Sequence, residues 1–187
     1  MDVHGKVPAP ARRGGEDPPG HALPVGVPGG GVALRGATLA VWVGSLRAFP
    51  NGFDFVLRSV RAPGQPAVGR PGWMPRDDTP PVRITYADGS AVRTLGSPED
   101  TAGPTRIGVR ELGGSGRGTL WEARYWVDPL PPDGPVTLTV HPPGGPCGSV
   151  EFSGAAIREA AAQCELPWPE EDFDDGGHGV LSSASGG

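Results

Sequence analysis

Residues 119–140 read TLWEARYWVDPLPPDGPVTLTV, and the alternation within them settles the class of fold. In the first part Trp121, Ala123, Tyr125 and Val127 alternate with Glu122, Arg124, Trp126 and Asp128; in the last, Val136, Leu138 and Val140 alternate with Thr137 and Thr139. Successive side chains of a strand point to opposite faces, so a period of two with one apolar face marks an antiparallel sheet covered on one side. The stretch is expected to be a strand, a proline-stiffened turn and a second strand paired with the first. With Val127 opposite Val136, such a hairpin sets Tyr125 against Leu138, Trp126 against Thr137, Arg124 against Thr139 and Glu122 against His141.

Upstream, 32–34 reads as an edge strand and 38–49 as a longer one. Leu39, Val41 and Val43 share a parity that Leu46 breaks, and a bulge at Gly44 and Ser45 is expected to return Leu46 to the core. Pro50, Asn51 and Gly52 signal a tight hairpin, because Asn-Gly accepts the positive φ angles of a two-residue turn. Phe53, Phe55 and Leu57 come back at period two. Val82, Ile84 and Tyr86 alternate into a second corner at Asp88-Gly89, 91–95 returns from it, 106–112 is a short strand, and Val150 with Phe152 marks the last. Residues 155–164 are alanine-rich with Ile157 and Ala160 at helical spacing, predicting a short helix capped by Ser153 and stopped by Pro167. Seven or eight short strands without intervening helices favour two packed sheets over a parallel α/β fold. The expected fold is all-β: an immunoglobulin-like antiparallel β-sandwich with one short C-terminal helix and disordered tails. It lacks the cysteine pair flanking a tryptophan that true immunoglobulin domains carry.

The chain has 187 residues, room for one domain plus tails. Its 32 glycines and 24 prolines crowd the ends and loops. Residues 1–31 contain eight glycines and six prolines with few large apolar side chains, too little to offset the entropy of ordering the backbone. The expected organisation is a disordered arm over 1–31, the sandwich with its helix over 32–166, and an acidic disordered tail over 167–187. The net charge of −5 is concentrated in that tail, and a nearly neutral body of pI ≈ 5.3 overall argues against a nucleic-acid surface. No apolar run reaches the ~20 residues that cross a bilayer, nor is there a signal-like start, so a cytoplasmic protein without a membrane partner is expected. In that compartment Cys147 and Cys164 are expected to be free thiols.

The order FDFVL at 53–57, YADG at 86–89 and WEARYWVDPLPPDGP at 121–135 resembles a family of uncharacterised bacterial proteins encoded by GC-rich genomes. The resemblance covers roughly residues 38–165. It implies the limits of the domain and carries no catalytic residue, because the family has no assigned activity.

Candidate chemistry is sparse. In the assumed register Trp126 lies on the wet face beside Arg124, whose guanidinium can cover the ring or leave it free for a partner. Trp42 has the same outward parity, and Trp73 lies in a loop over 63–81 that holds six prolines. Glu122 and His141 form an acid–base pair on paper, read as a rim ion pair for want of a nucleophile, metal or second carboxylate nearby. GGSGRG at 113–118 lacks the Lys-Ser/Thr of a phosphate loop and reads as a flexible connector. The scattered histidines and cysteines have no metal-ligand spacing, and Asp77 and Asp78 belong to no calcium-loop motif. PLPP at 129–132 reads as a turn stiffener rather than a polyproline ligand. In the acidic tail Trp168 and Phe173 stand among five acids, a pattern that docks on basic grooves or simply solubilises.

The sequence therefore points to a non-catalytic interaction or accessory module with a protein partner and no cofactor, metal or nucleic acid. Its candidate binding residues are Trp126, Arg124, Trp42, Trp73, His141, Trp168 and Phe173. Two alternatives remain at this level: a ligand-binding sandwich, for instance for carbohydrate, that stacks sugars on tryptophans, and an enzyme collecting His141 with loop acids in a closed pocket.

Overall fold

A computed structural model describes residues 17–65, 80–94, 101–142 and 144–167. Among the described residues ten strands and one helix follow in order: β1 (Val25–Gly26), β2 (Gly31–Arg35), β3 (Leu39–Phe49), β4 (Gly52–Arg61), β5 (Val82–Thr85), β6 (Ala91–Arg93), β7 (Gly108–Arg117), β8 (Leu120–Asp128), β9 (Pro135–Val140), β10 (Gly148–Ser153) and α1 (Gly154–Ala162). All pairings are antiparallel. One sheet runs β3-β4-β8-β7, with β1 and β2 sharing the free edge of β3; the other runs β10-β9-β5-β6. The inner faces form one apolar cluster that takes Val41, Phe53, Leu57, Trp121 and Tyr125 from the first sheet and Val82, Ile84, Leu138, Val140 and Phe152 from the second. The expected all-β antiparallel sandwich with a single C-terminal helix is the fold found.

The period-two pattern works because it delivers large side chains to that shared layer. Phe55 lies opposite Tyr125 across β4 and β8, their rings stacked at 5.3 Å. Burying one such ring contributes about 1.5–3 kcal/mol, and the stacking of the pair adds about 0.5–1.5 kcal/mol beyond the area they bury. The bulge falls where expected: the β3–β4 register shifts between Val43 and Ser45, and Leu46 is returned to the core at 3% exposure. Ser153 caps α1 by accepting a hydrogen bond from the Ala156 amide, and Ile157, Ala160 and Ala161 press the helix onto the cluster. The helix ends at Gln163, before Pro167.

The 119–140 stretch differs from expectation in one decisive respect. β8 pairs with β4 and β7, whereas β9 pairs with β5 and β10, so the two strands lie in different sheets and make no hairpin. Trp121 and Tyr125 share one core cluster with Val136 and Leu138, but reach it from the opposite sheet. The PLPP run is thus a corner between sheets rather than a turn that pins a register. Pro131 is fully buried in it, the Asp128–Pro129 peptide is cis, and Tyr86 donates its hydroxyl hydrogen to the Pro129 carbonyl at 2.7 Å.

Two further expectations are corrected. Part of the glycine-rich arm is ordered: over 17–31 the chain contributes β1, the Leu23 amide donates to the Glu165 carbonyl, the Val27 amide donates to that of Leu46, and Ala22 and Val27 are buried. Backbone hydrogen bonds to β3 and to the chain just beyond α1 supply what the poor side-chain composition lacks. GGSGRG is no loose connector either, since residues 113–117 continue β7 along β8. Its glycines make room for Trp121: a Cβ on Gly114 would stand 2.3 Å from that ring.

The two corners read from sequence both form. Gly89 takes φ +84° as an Asp-Gly turn needs, and the Asp88 carboxylate accepts from the Ser90 amide and the Thr105 hydroxyl, which hold it below the usual carboxylate range. At the first corner the loop is Pro50-Asn51, and Gly52 is already paired with Phe49. Its lack of a side chain serves packing, because a Cβ there would lie 2.4 Å from the Val127 carbonyl oxygen and 2.6 Å from Trp126.

Candidate functional site

Outward parity and exposure part company on the first sheet. Trp126 does point away from the inner layer, on the same rung as Asp54 and Arg110, yet it is 1% exposed. It packs in a second small cluster with Ala22 and Phe49, the Phe49 ring meeting it edge-on at 5.3 Å. The segment before β1 covers this face: Asn51 donates to the Asp17 carbonyl and Arg110 pairs with the Asp17 carboxylate. The expected exposed platform at Trp126 is therefore corrected to a buried structural anchor.

Arg124 does not serve as a free contact group either. Its Nε lies 3.3 Å from Asp54, a carboxylate 1% exposed that also accepts from Arg47 Nε at 3.0 Å and Nη2 at 2.5 Å. Those bonds raise the Arg47 guanidinium further above its ordinary range, and Arg47 also lies over the Phe49 ring at 5.6 Å. The cation–π contact expected between Arg124 and Trp126 is replaced by this ion triad.

The Glu122–His141 pair dissolves with the hairpin. Glu122 Oε2 accepts from Arg58 Nε at 2.6 Å, a half-exposed ion pair on the first sheet. His141 directly follows β9, and its Nδ1 lies 3.2 Å from Cys147 Sγ. Cys147 and Cys164 are both free thiols. Trp42 is half-buried on β3, opposite Arg58. Trp73, Trp168, Phe173, Asp77 and Asp78 lie outside the described residues. Among the described residues no group of three or more His, Cys, Asp or Glu is placed to hold a metal, and no helix is long and apolar enough to cross a membrane.

A concave feature lies at one end of the sandwich. Three connections meet there in their described parts: the β2–β3 turn at 36–38, the two ends of the β4–β5 connection at 62–65 and 80–81, and the β9–β10 connection at 141–142 and 144–147. They enclose a groove of about 660 Å³ lined by Leu34, Leu39, Arg61, Pro80, Pro142 and Pro146 among others. Its walls are tied by backbone: the Ala62 amide donates to the Thr38 carbonyl and the His141 amide to that of Pro81. The two sheets draw together beside it, since β10 crosses so near β2 that a Cβ on Gly148 would overlap the Ala33 carbonyl.

Sequence reasoning missed this groove. Its lining residues come from four separate stretches, none with a motif, and only the strand order brings them together. The available signal was the pair of proline-rich loops, HPPGGPC at 141–147 and the run over 63–81, which carry too many prolines to extend either sheet.

Comparison of the chain with protein-family models, with curated proteins and with solved structures finds no match to any of them.

Proposed function

We propose that the chain is a non-catalytic interaction module of immunoglobulin-like build, acting in the cytoplasm and binding a protein partner at its groove end. The build is supported by strand order. β3-β4-β8-β7 over β10-β9-β5-β6 follows the A-B-E-D and G-F-C orders of an immunoglobulin sandwich with one strand added beside C. In that correspondence β4–β5 and β9–β10 are the B–C and F–G loops, which immunoglobulin variable domains gather at one end for binding.

The observation that carries the reading is the groove of about 660 Å³ between those same loops. Its size falls in the range of ligand sites, and a wall of leucine and proline side chains suits an apolar protein segment better than a phosphate backbone. Trp126, buried, offers no stacking platform for a sugar, which takes away one of the three tryptophans, with Trp42 and Trp73, on which the carbohydrate alternative rests.

Site-specific photo-crosslinking in the cells that make the protein tests this. A crosslinker at Thr38, in the groove, is expected to trap a partner that the same crosslinker at Glu151, on the outer face of β10, does not. Pro146→Asp should abolish the adduct while the melting temperature holds. Adducts from Glu151, or an adduct at Thr38 that survives Pro146→Asp, would rule out the groove as the contact surface.

A further inference from the structure

The β9–β10 loop holds a pair of groups that no other feature of the fold uses. Cys147 is exposed and its sulfur lies 3.2 Å from His141 Nδ1. The other ring nitrogen of His141 is buried and finds no hydrogen-bond partner among the described residues. Cys164 provides an internal contrast. Its thiol donates to the Ala48 carbonyl at 3.2 Å, sits half-buried against β3, and is pushed up by burial. Thiolates react where thiols do not, and an adjacent imidazole is the commonest group to take the proton.

We infer that Cys147 is a modification site, a thiol nucleophile served by His141 as base, which exchanges with low-molecular-weight disulfides. As the sulfur attacks, the S–H proton passes to His141 Nδ1, a sulfur–sulfur bond forms to Cys147, and the bond within the small disulfide breaks. The departing thiolate takes the proton back from the imidazolium. The protein thiol is oxidised to a mixed disulfide and half of the small disulfide is reduced to thiol, so no further oxidant enters. Cys164 cannot act as resolving thiol without leaving its place against β3, so the adduct is expected to persist. The inference stands whatever occupies the groove, although Pro142 and Pro146 of the same loop line its wall and an adduct at Cys147 would sit at the rim.

The test uses the full chain and oxidised glutathione, with adducts located by peptide mass mapping. Cys147 should acquire glutathione roughly tenfold faster than Cys164, below the ~10²–10⁴ that a base supplies in a built active site. His141→Asn keeps a polar neighbour but no base, and should bring Cys147 down towards the Cys164 rate. In His141→Ala, free imidazole in the buffer should restore the lost rate, which a purely structural role of the ring would not allow. Equal rates at the two cysteines, or a Cys147 rate unchanged in folded His141→Asn, would overturn the assignment. Where the histidine variants do not fold, the comparison of Cys147→Ser with Cys164→Ser decides it, since equal reactivity of those two proteins sinks the proposal.

Discussion

Asp54 is a fully buried carboxylate held by two guanidiniums, and the three members of that triad are not equivalent. Arg47 offers two hydrogen bonds, at 3.0 and 2.5 Å, while Arg124 stands 3.3 Å away with poorer alignment. Arg47 keeps 32% of its side chain in water and Arg124 41%, whereas Asp54 keeps 2%. Removing an arginine therefore strands a desolvated charge, and the better partner matters more. Arg47→Ala is expected to cost about 3 kcal/mol, the low end for breaking a buried pair, and Arg124→Ala about 1 kcal/mol, measured by urea unfolding. A larger loss for Arg124→Ala would mean the ion pairs are ranked wrongly. Residue parity was legible here: Asp54, Arg124 and Trp126 all point outward, as alternation requires. What alternation cannot say is whether an outward face meets water, because the cover over Trp126 comes from residues 17–22, a stretch whose glycine and proline content argued for disorder.

Alternation gave the strands and their inner sides at the scale of elements, down to the bulge that rescues Leu46. It did not give the partner of each strand. Two consecutive apolar-faced strands joined by a short connection fit a hairpin and an inter-sheet corner equally well, and only the strand order, with β8 beside β4 and β9 beside β5, separates them. β7 shows the converse failure: a glycine run with no pattern of its own forms a strand because β8 offers it a ladder and Trp121 needs the vacant space. That account predicts that Gly114→Ala destabilises the protein by about 1–3 kcal/mol, since the new methyl would meet the indole at 2.3 Å and the Glu122 carbonyl at 2.9 Å. Gly26→Ala in β1 meets nothing within 4 Å and serves as control, expected to lie within about 0.5 kcal/mol of the parent. Thermal melts of the two variants suffice. A neutral Gly114→Ala would show that β7 does not lie flat against Trp121.

The whole molecule has an unusually simple alkaline titration, because Lys6 is its sole lysine and Tyr86 and Tyr125 are its two tyrosines. Both phenols are buried in the shared core, and both are held far above their ordinary value of 10.0, by burial first and then by the charges of Asp128 and Asp88 on Tyr86 and of Glu111 on Tyr125. The unfolded chain releases these protons near pH 10 while the folded chain keeps them. Above that pH the native state binds more protons than the unfolded one, so stability falls as pH rises; below it the contribution of the neutral phenols is fully present. Each tyrosine gives a slope of about 1.4 kcal/mol per pH unit, and the pair about 2.7. Cys164, also pushed up by burial, adds in the same direction from a lower pH and is removed by working in a Cys164→Ser background. In that background, urea unfolding between about pH 10 and 11.5 should show the full slope in the parent and half of it in Tyr125→Phe, whose hydroxyl can be lost without touching the Tyr86–Pro129 bond at the β8–β9 corner. Because that corner carries the chain from one sheet to the other, ionising Tyr86 is expected to open the sandwich. Tyrosinate absorbance should therefore appear together with loss of the β-sheet signal; phenols that ionise in a chain still folded would show that the two layers do not seal them.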